Sequence, residues 1–383
     1  MAIRQCATEN EAFSRLKWHY DNRDAFAQEC REAGTKVVGQ LGFGVPEELI
    51  LAHDMQPVKI CAENGGALNF AEMYLEYSFA AVAKSQFERI VSGSYNSTLD
   101  YIAISDSSDI ANRLYFYLRE INRSEPERQF PEIYFVDWLF SRNLMCQMWN
   151  EKAIAHFSEQ LERWAGSAPS DDRLREAILL CNEQRQAVRE FSALRREDAP
   201  RVTGCEALVV ASAGFFMPKA EHARLVRALV KDAASWPAIA GKRVVFTGSA
   251  QENTDVYAEI EGVGTVIVCE DHDWGDRAYE LDTRTDIPAL KAVVERYMTT
   301  SFSAQKALVS QRVRTLLGRA QAARADAVVF YYNEYDDAAS WDYPKQKAAL
   351  ENIGVACEEL GRRKYPDLSL RSDAAALISR IGA

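Results

Sequence analysis

The loop Glu270-Asp271-His272-Asp273-Trp274-Gly275 gathers three carboxylates around one histidine directly after the apolar run Thr265 to Cys269. Neighbouring negative charge favours the imidazolium, so this pattern predicts a raised His272 pKa and a general acid, with Trp274 placed to cover a flat substrate. The plainer reading is a loop that hydrogen-bonds itself and caps the next segment; both stay open. A second acid-rich group follows at Asn333-Glu334-Tyr335-Asp336-Asp337 and Trp341-Asp342-Tyr343-Pro344. Oxygen donors suit hard cations, but none of these acids stands at a ligand spacing with a histidine, and no metal is assigned. The turn Gly248-Ser249-Ala250 is either a phosphate cradle built from backbone N–H groups or a plain tight turn. It has neither G-x-G-x-x-G nor the G-K-[ST] ending of a P-loop. Ser107 and Ser108 lie in the polar turn DSSD, residues 106–109, with no evident histidine base, and no G-x-S-x-G elbow exists, so acyl transfer is not expected. His19, His53, His156 and His222 fall in or at the ends of predicted helices and read as surface or packing residues.

These loops need strands to hold them. Lys36 to Gly42, Val58 to Cys61, Asp100 to Ser105 and Ile133 to Val136 read as buried strands, with a helix opening at Pro46-Glu47-Glu48 and another running through Leu114 and Leu118. From Asn150 to about Arg196 the periodicity is helical, broken near Gly166 to Pro169, where Ser170 or Asp171 would cap a second helix. Beyond Gly204, strands are predicted at Ala207 to Ala211, Arg243 to Thr247, Thr265 to Cys269, Ala327 to Tyr331 and Gly354 to Glu358. Helices are predicted between them at Lys219 to Asp232, Gln251 to Ile260, Pro288 to Met298, Ala304 to Ala323 and Pro344 to Asn352. Strand, polar turn and helix in repetition predict an α/β fold of two doubly wound parallel sheets. The expected domains are 1–148 with leading helices that pack across the next unit, a helical connector 149–200, and 201–383. The loops after Thr247, Cys269 and Tyr331 then share one rim.

The chain has 383 residues, 48% hydrophobic and 26% charged, which is enough apolar material for a large buried core. Its 45 Lys and Arg against 56 Asp and Glu give a net charge of −11 with the signs interspersed, which argues against nucleic acid. The longest apolar stretches are strand-sized, and the N-terminus has no apolar core after a basic start, so neither a membrane span nor a secretory signal is expected. A soluble cytoplasmic protein is the expectation. The eight cysteines are never closer than 24 residues, so no C-x-x-C metal motif can be written, and reduced, partly buried thiols are the simplest reading.

Taken in order, Gly42 to Ile60 (GFGVPEELILAHDMQPVKI), Ile104 to Leu118 (ISDSSDIANRLYFYL), Phe246 to Gly275 and Asp326 to Pro344 resemble the D-component family of 2-hydroxyacyl-CoA dehydratases and benzoyl-CoA reductases. The resemblance implies flavodoxin-like domains, a heterodimer with a related subunit, an acyl-CoA substrate, and an ATP-hydrolysing activator that delivers one electron to a radical reaction. It also implies three cysteines per cluster-bearing subunit around a [4Fe-4S] cluster. At the matching positions this chain has Ser108, Asp273, and Tyr335 or Asp336. A serine and carboxylates are poor ligands for an iron–sulfur core. The resemblance therefore predicts a cluster-free half whose partner carries the cluster. His272, Asp273, Glu334 and Asp336 are candidates to move a proton, and Ser107, Ser108, Gly248, Ser249 and Trp274 are candidates to contact the acyl-CoA. Arg- and Ala-rich helices such as Arg312 to Ala325, associated with high-GC genomes, place aryl-CoA reduction first. Dehydration comes second, and a non-catalytic or regulatory CoA-thioester-binding half third.

Overall fold

A computed structural model describes residues 3–300, 304, 306–365, 367, 370 and 373. Two four-stranded parallel sheets organise the chain. The first contains β1 (Val37–Leu41), β2 (Gln56–Lys59), β3 (Tyr101–Ser105) and β4 (Glu132–Val136) in the order β2-β1-β3-β4. The second contains β5 (Lys242–Gly248), β6 (Thr265–Asp271), β7 (Ala327–Asn333) and β8 (Ala356–Arg363) in the order β6-β5-β7-β8. β1, β6 and β7 are buried throughout. Such unbroken burial requires cover on both faces, which is why these strands read as continuous apolar runs. Both sheets have the same doubly wound, flavodoxin-like order. Its direction reverses between β1 and β3 in one sheet and between β5 and β7 in the other, and ligands in such sheets bind outside the strand ends at that reversal.

One predicted strand is a helix. Ala207 to Ala211 lies inside the helix Gly204–Ala213, every residue of which is buried. A wholly buried helix and a wholly buried strand have the same hydropathy, so the apolar run could not separate them. The distinguishing signal precedes it. Thr203 and Glu206 form a capping box, the Thr203 hydroxyl accepting from the Glu206 N–H at 3.0 Å and the Glu206 carboxylate accepting from the Thr203 N–H at 2.9 Å. The helix predicted over Ala304 to Ala323 is observed at Val309–Ala322; residues 301–303 and 305 of that region lie outside the described set. The two long connecting helices, Leu144–Ala165 and Asp171–Ala193, are separated at Gly166, and Ser170 caps the second.

The leading helices divide between the halves: Phe26, Ala27 and Cys30 of the helix Ala25–Glu32 share the core of Val37, Leu41 and Val58 in the first sheet, while the preceding helix crosses to the second half. Phe13, Leu16 and Tyr20 from the helix Glu11–Asp21 pack with Val209, Val210, Val226 and Leu229 of the second half of the chain. Arg4 reinforces this crossing, its guanidinium donating to Glu206 at 2.8 and 2.9 Å.

Between the two halves lies a buried charge network. Glu48, wholly buried, accepts from Arg185 at 2.5 Å, from the Thr283 hydroxyl at 2.9 Å and from the Tyr297 hydroxyl at 3.0 Å. Burial pushes the Glu48 carboxyl up, and Arg185 with Arg296 outweighs it, holding the group down at about 2. A carboxyl depressed from its ordinary 4.5 contributes stability that is fully present above that value and is lost as pH falls toward 2. Glu48→Gln should therefore remove part of the acid-induced loss of stability in that window. It should also cost roughly 3–5 kcal/mol at neutral pH, because Arg185 is left buried without its partner. Melting temperature against pH for both proteins measures this, and parallel curves would reject it.

Candidate functional site

The two sheet reversals face one another across a cavity of about 230 Å³. From the first sheet come Gly42, Lys59, Ser107 and Ser108; from the second come Gly248, Glu252, His272, Asp273, Trp274 and Asp336. Tight turns bring the loops this close. Gly42 and Gly248 have φ of 85° and 114°, a region side-chain-bearing residues avoid, and a Cβ on Gly248 would collide with the Tyr331 carbonyl oxygen. Ser108 begins the helix Asp109–Ser124 and accepts from the Ala111 N–H at 3.1 Å.

Of the predicted cofactor contacts, Ser107, Ser108, Gly248 and Trp274 line the cavity and Ser249 lies behind it. The phosphate-cradle reading of the Gly248 turn gives way to the tight turn. The Ser249 N–H is already committed to the Tyr331 carbonyl at 2.8 Å, and the Ser249 hydroxyl donates to Asp336 Oδ2 at 2.5 Å while accepting from the Asn333 N–H at 2.9 Å. Ser249 thus aims Asp336. Glu334 does not line the cavity; its N–H closes onto the Arg363 carbonyl at 2.7 Å. Trp274 is 3% exposed, and its ring contacts the Lys59 ammonium at 4.5 Å and the Arg23 guanidinium at 5.4 Å. Two cations thus meet that ring.

The raised pKa that its neighbours suggested for His272 does not arise. Two of the three flanking carboxylates turn away toward arginines. Glu270 pairs with buried Arg195, and Asp271 accepts from Arg277 at 3.0 Å. With that charge neutralised, burial dominates and pushes the imidazole down to about 3. The Trp274 N–H donates to Nδ1 at 3.3 Å, so the ring proton sits on Nε2, which donates to the Tyr257 hydroxyl oxygen at 2.7 Å.

The remaining pair of carboxylates diverges. Asp273 is pulled upward by burial, but Lys59 and Arg277 prevail and hold it below the usual carboxylate range. The Lys59 ammonium donates to the Asp273 carbonyl at 2.8 Å and stands 3.6 Å from its carboxylate. Asp336 is raised, chiefly by burial and further by the charges of Asp337 and Asp273. Environments that push two facing carboxylates apart make one a proton donor and the other an acceptor.

Sequence reasoning missed Lys59, Glu252, Arg277 and Arg312, all of which line the cavity. Glu252 is 2% exposed, accepts from the Ala62 N–H and the Gln86 amide at 2.7 Å each, and burial raises its pKa. A lysine closing a buried strand, as in Gln56-Pro57-Val58-Lys59, was the available signal.

Of the positions matched to cluster ligands, Ser108, Asp273 and, of the alternatives Tyr335 and Asp336, Asp336 line this one cavity, and Tyr335 does not. The donor set does not fit an iron–sulfur cluster, because it offers hydroxyl and carboxylate oxygens and no thiolate. Among the described residues no cysteine lines the cavity, and no group of three or more His, Cys, Asp or Glu is arranged to hold a metal ion. Cys269, next to the loop, is 3% exposed within the core on β6, where burial pushes its thiol up to about 12.

Two flavodoxin-like sheets whose reversals close on a shared, carboxylate-bearing cavity define a doubly wound α/β protein with a cavity between its halves. The chain belongs to the 2-hydroxyglutaryl-CoA dehydratase, D-component family, which matches residues 43–367. It is 24% identical over 331 residues to the (R)-phenyllactyl-CoA dehydratase beta subunit of Clostridium sporogenes, covering 85% of each chain. It is 23% identical over 343 residues to the (R)-2-hydroxyglutaryl-CoA dehydratase subunit beta of Acidaminococcus fermentans, covering 86% of this chain and 87% of the relative. The lactoyl-CoA dehydratase subunit beta of Anaerotignum propionicum is 24% identical over 334 residues, at 85% of each chain. Among the described residues no helix is long and apolar enough to cross a membrane.

His272 should stay neutral with its proton on Nε2 down to about pH 4, because its folded value is about 3. Nitrogen-15 NMR of the imidazole reads this directly, and an imidazolium signal at pH 6 would contradict the assignment.

Proposed function

We propose that this chain is the cluster-free half of a 2-hydroxyacyl-CoA dehydratase, lining the acyl end of the substrate site. The observation that carries the reading is the convergence of Ser108, Asp273 and Asp336, distant in sequence, on one cavity between the two sheets. It stands beside relatives that are all beta subunits of dehydratases. Those relatives favour dehydration over aryl-CoA reduction, reversing the order drawn from composition. In this reading a related partner subunit holds the [4Fe-4S] cluster and supplies the electron chemistry, and ATP is used by a separate activator.

What this chain adds is proton transfer and walls. Removing water from a 2-hydroxyacyl thioester is redox-neutral overall. The hydroxyl group takes up one proton and leaves as water, while the neighbouring carbon loses one proton as the double bond forms. Asp336, kept protonated more readily than an ordinary carboxyl and aimed by Ser249, gives the first proton. Asp273, kept ionised by Lys59 and Arg277, accepts the second. A carboxylate held between cations also lets the cavity remain dry without burying a bare charge.

The experiment is to co-express the chain with its partner subunit and assay the pair, with activator, on 2-hydroxyacyl-CoA and aryl-CoA substrates, measuring iron and sulfide for the chain alone and for the pair. Dehydration of the former and iron only in the pair are expected. Asp336→Asn should lower kcat by about 100-fold or more with little change in KM, and Asp336→Glu should recover part of it. Ring reduction without dehydration, or iron on the lone chain, would overturn the proposal.

A further inference from the structure

The two halves of the chain give the cavity two different walls. Glu252, Asp273, Asp336, Arg277 and Arg312 all come from the second half. The first half, apart from Lys59, Gln86 and the two serines, contributes mainly apolar side chains. Ile60 and Leu114 belong to the buried core behind that wall. Val82, near the start of the helix Ala81–Val91, and Ile110, near the start of the helix Asp109–Ser124, are only half-buried and present branched apolar surface to the cavity.

The charges of the cavity are already matched. Among the described residues the cations that line it are Lys59, Arg277 and Arg312. Lys59 stands 3.6 Å from Asp273, Arg277 is 3.0 Å from Asp271, and Arg312 pairs with Asp342. Glu252, 4.0 Å from Arg23 behind the wall, and Asp336 are further acids of the same site. His272 adds no positive charge, because burial keeps its ring neutral. None of these cations is left over for a carboxylate brought in by a ligand.

We propose that the acyl group taken by this site carries a bulky, uncharged side chain, branched aliphatic or aromatic, seated on the wall of Val82 and Ile110, and that a side chain ending in a carboxylate is rejected. The inference rests on the dehydratase reading, which leaves the acyl group open, and adds its class. Seating an apolar side chain there removes apolar surface of both ligand and wall from water. A methyl-sized side chain would leave much of the cavity of about 230 Å³ to water, beside a wall that offers that water no hydrogen bonds. A carboxylate would give up its hydration and either stay unpaired or strip a cation from its present partner.

Steady-state turnover by the complex of this chain with its partner subunit and activator tests it, on three 2-hydroxyacyl-CoA thioesters whose side chains end in phenyl, methyl or carboxylate. The phenyl thioester should have the highest kcat/KM, roughly tenfold or more above the methyl and roughly 100-fold or more above the carboxylate. Val82→Lys places an unpaired ammonium on the apolar wall and should raise the carboxylate-to-phenyl ratio roughly tenfold. Ile110→Ala should lower the phenyl-to-methyl ratio while the carboxylate stays rejected. The readout is the ratio between substrates within one protein, since a variant that folds poorly lowers all three rates together. A wild-type preference for the methyl or the carboxylate thioester would overturn the proposal. Ratios that neither substitution moves would also overturn it, because the side chain would then lie on another wall. Turnover of none of the three by the wild-type complex would instead overturn the dehydratase reading, and this assignment with it.

Discussion

Lys59 is the contact on which the arrangement turns. It ends β2 in the first sheet, yet its ammonium reaches the Asp273 carbonyl and carboxylate and lies 4.5 Å from the rings of both Phe215 and Trp274 in the second half of the chain. A buried ammonium is tolerated only where charge and dipoles compensate its lost hydration, so the two sheets must approach closely enough to supply them. That approach shapes the cavity and lets Lys59 hold the Asp273 carboxyl below its usual range, while burial raises that of Asp336. Glu252 makes the reciprocal contact, a carboxylate of the second half held by Ala62 and Gln86 of the first. Each half thus closes the other's ligand face.

Much of this order was legible in the residues. Apolar runs with polar turns located seven of the eight strands to within two residues, most clearly β1, β6 and β7, because strands covered on both faces must be apolar throughout; the partly exposed β8 runs on to Arg363, past its predicted end at Glu358. The turns that mattered, around Gly42, Ser108, Gly248 and Asp273, were legible as breaks following those runs. Ala207 to Ala211 was misread because burial erases the periodicity that separates helix from strand, and only Thr203 with Glu206 marked the difference. The site was less legible than the fold. The run of acids around His272 implied a charged imidazole, but Arg195, which neutralises Glu270, comes from 75 residues away, and Arg277, just past the loop, turns back onto Asp271. Lys59 and Glu252 were missed for the same reason, since each acquires its meaning only when the opposite half is present.

In the proposed reading, the two carboxylates mark a family site that has changed its chemistry: three loops converge on one cavity, and the donors they carry are oxygens rather than thiolates. Oxygens in a partly dry cavity between cations are suited to holding and moving protons, and they differ from one another by what lies behind them: a serine hydroxyl for Asp336 and an ammonium for Asp273.

The crossing of the N-terminal helix bears on how the molecule can be dissected. Phe13, Leu16 and Tyr20 are core residues of the unit that begins nearly two hundred residues later. A cut in the connecting helices would leave the N-terminal fragment with an apolar helix that has nowhere to pack, and the C-terminal fragment with the faces of Val209 and Val226 exposed to water. The chain is thus laced together at its start, and its halves are separable in topology but not as expressed fragments. A two-piece version would need residues 3–21 grafted onto the C-terminal piece, which amounts to a circular rearrangement of the chain.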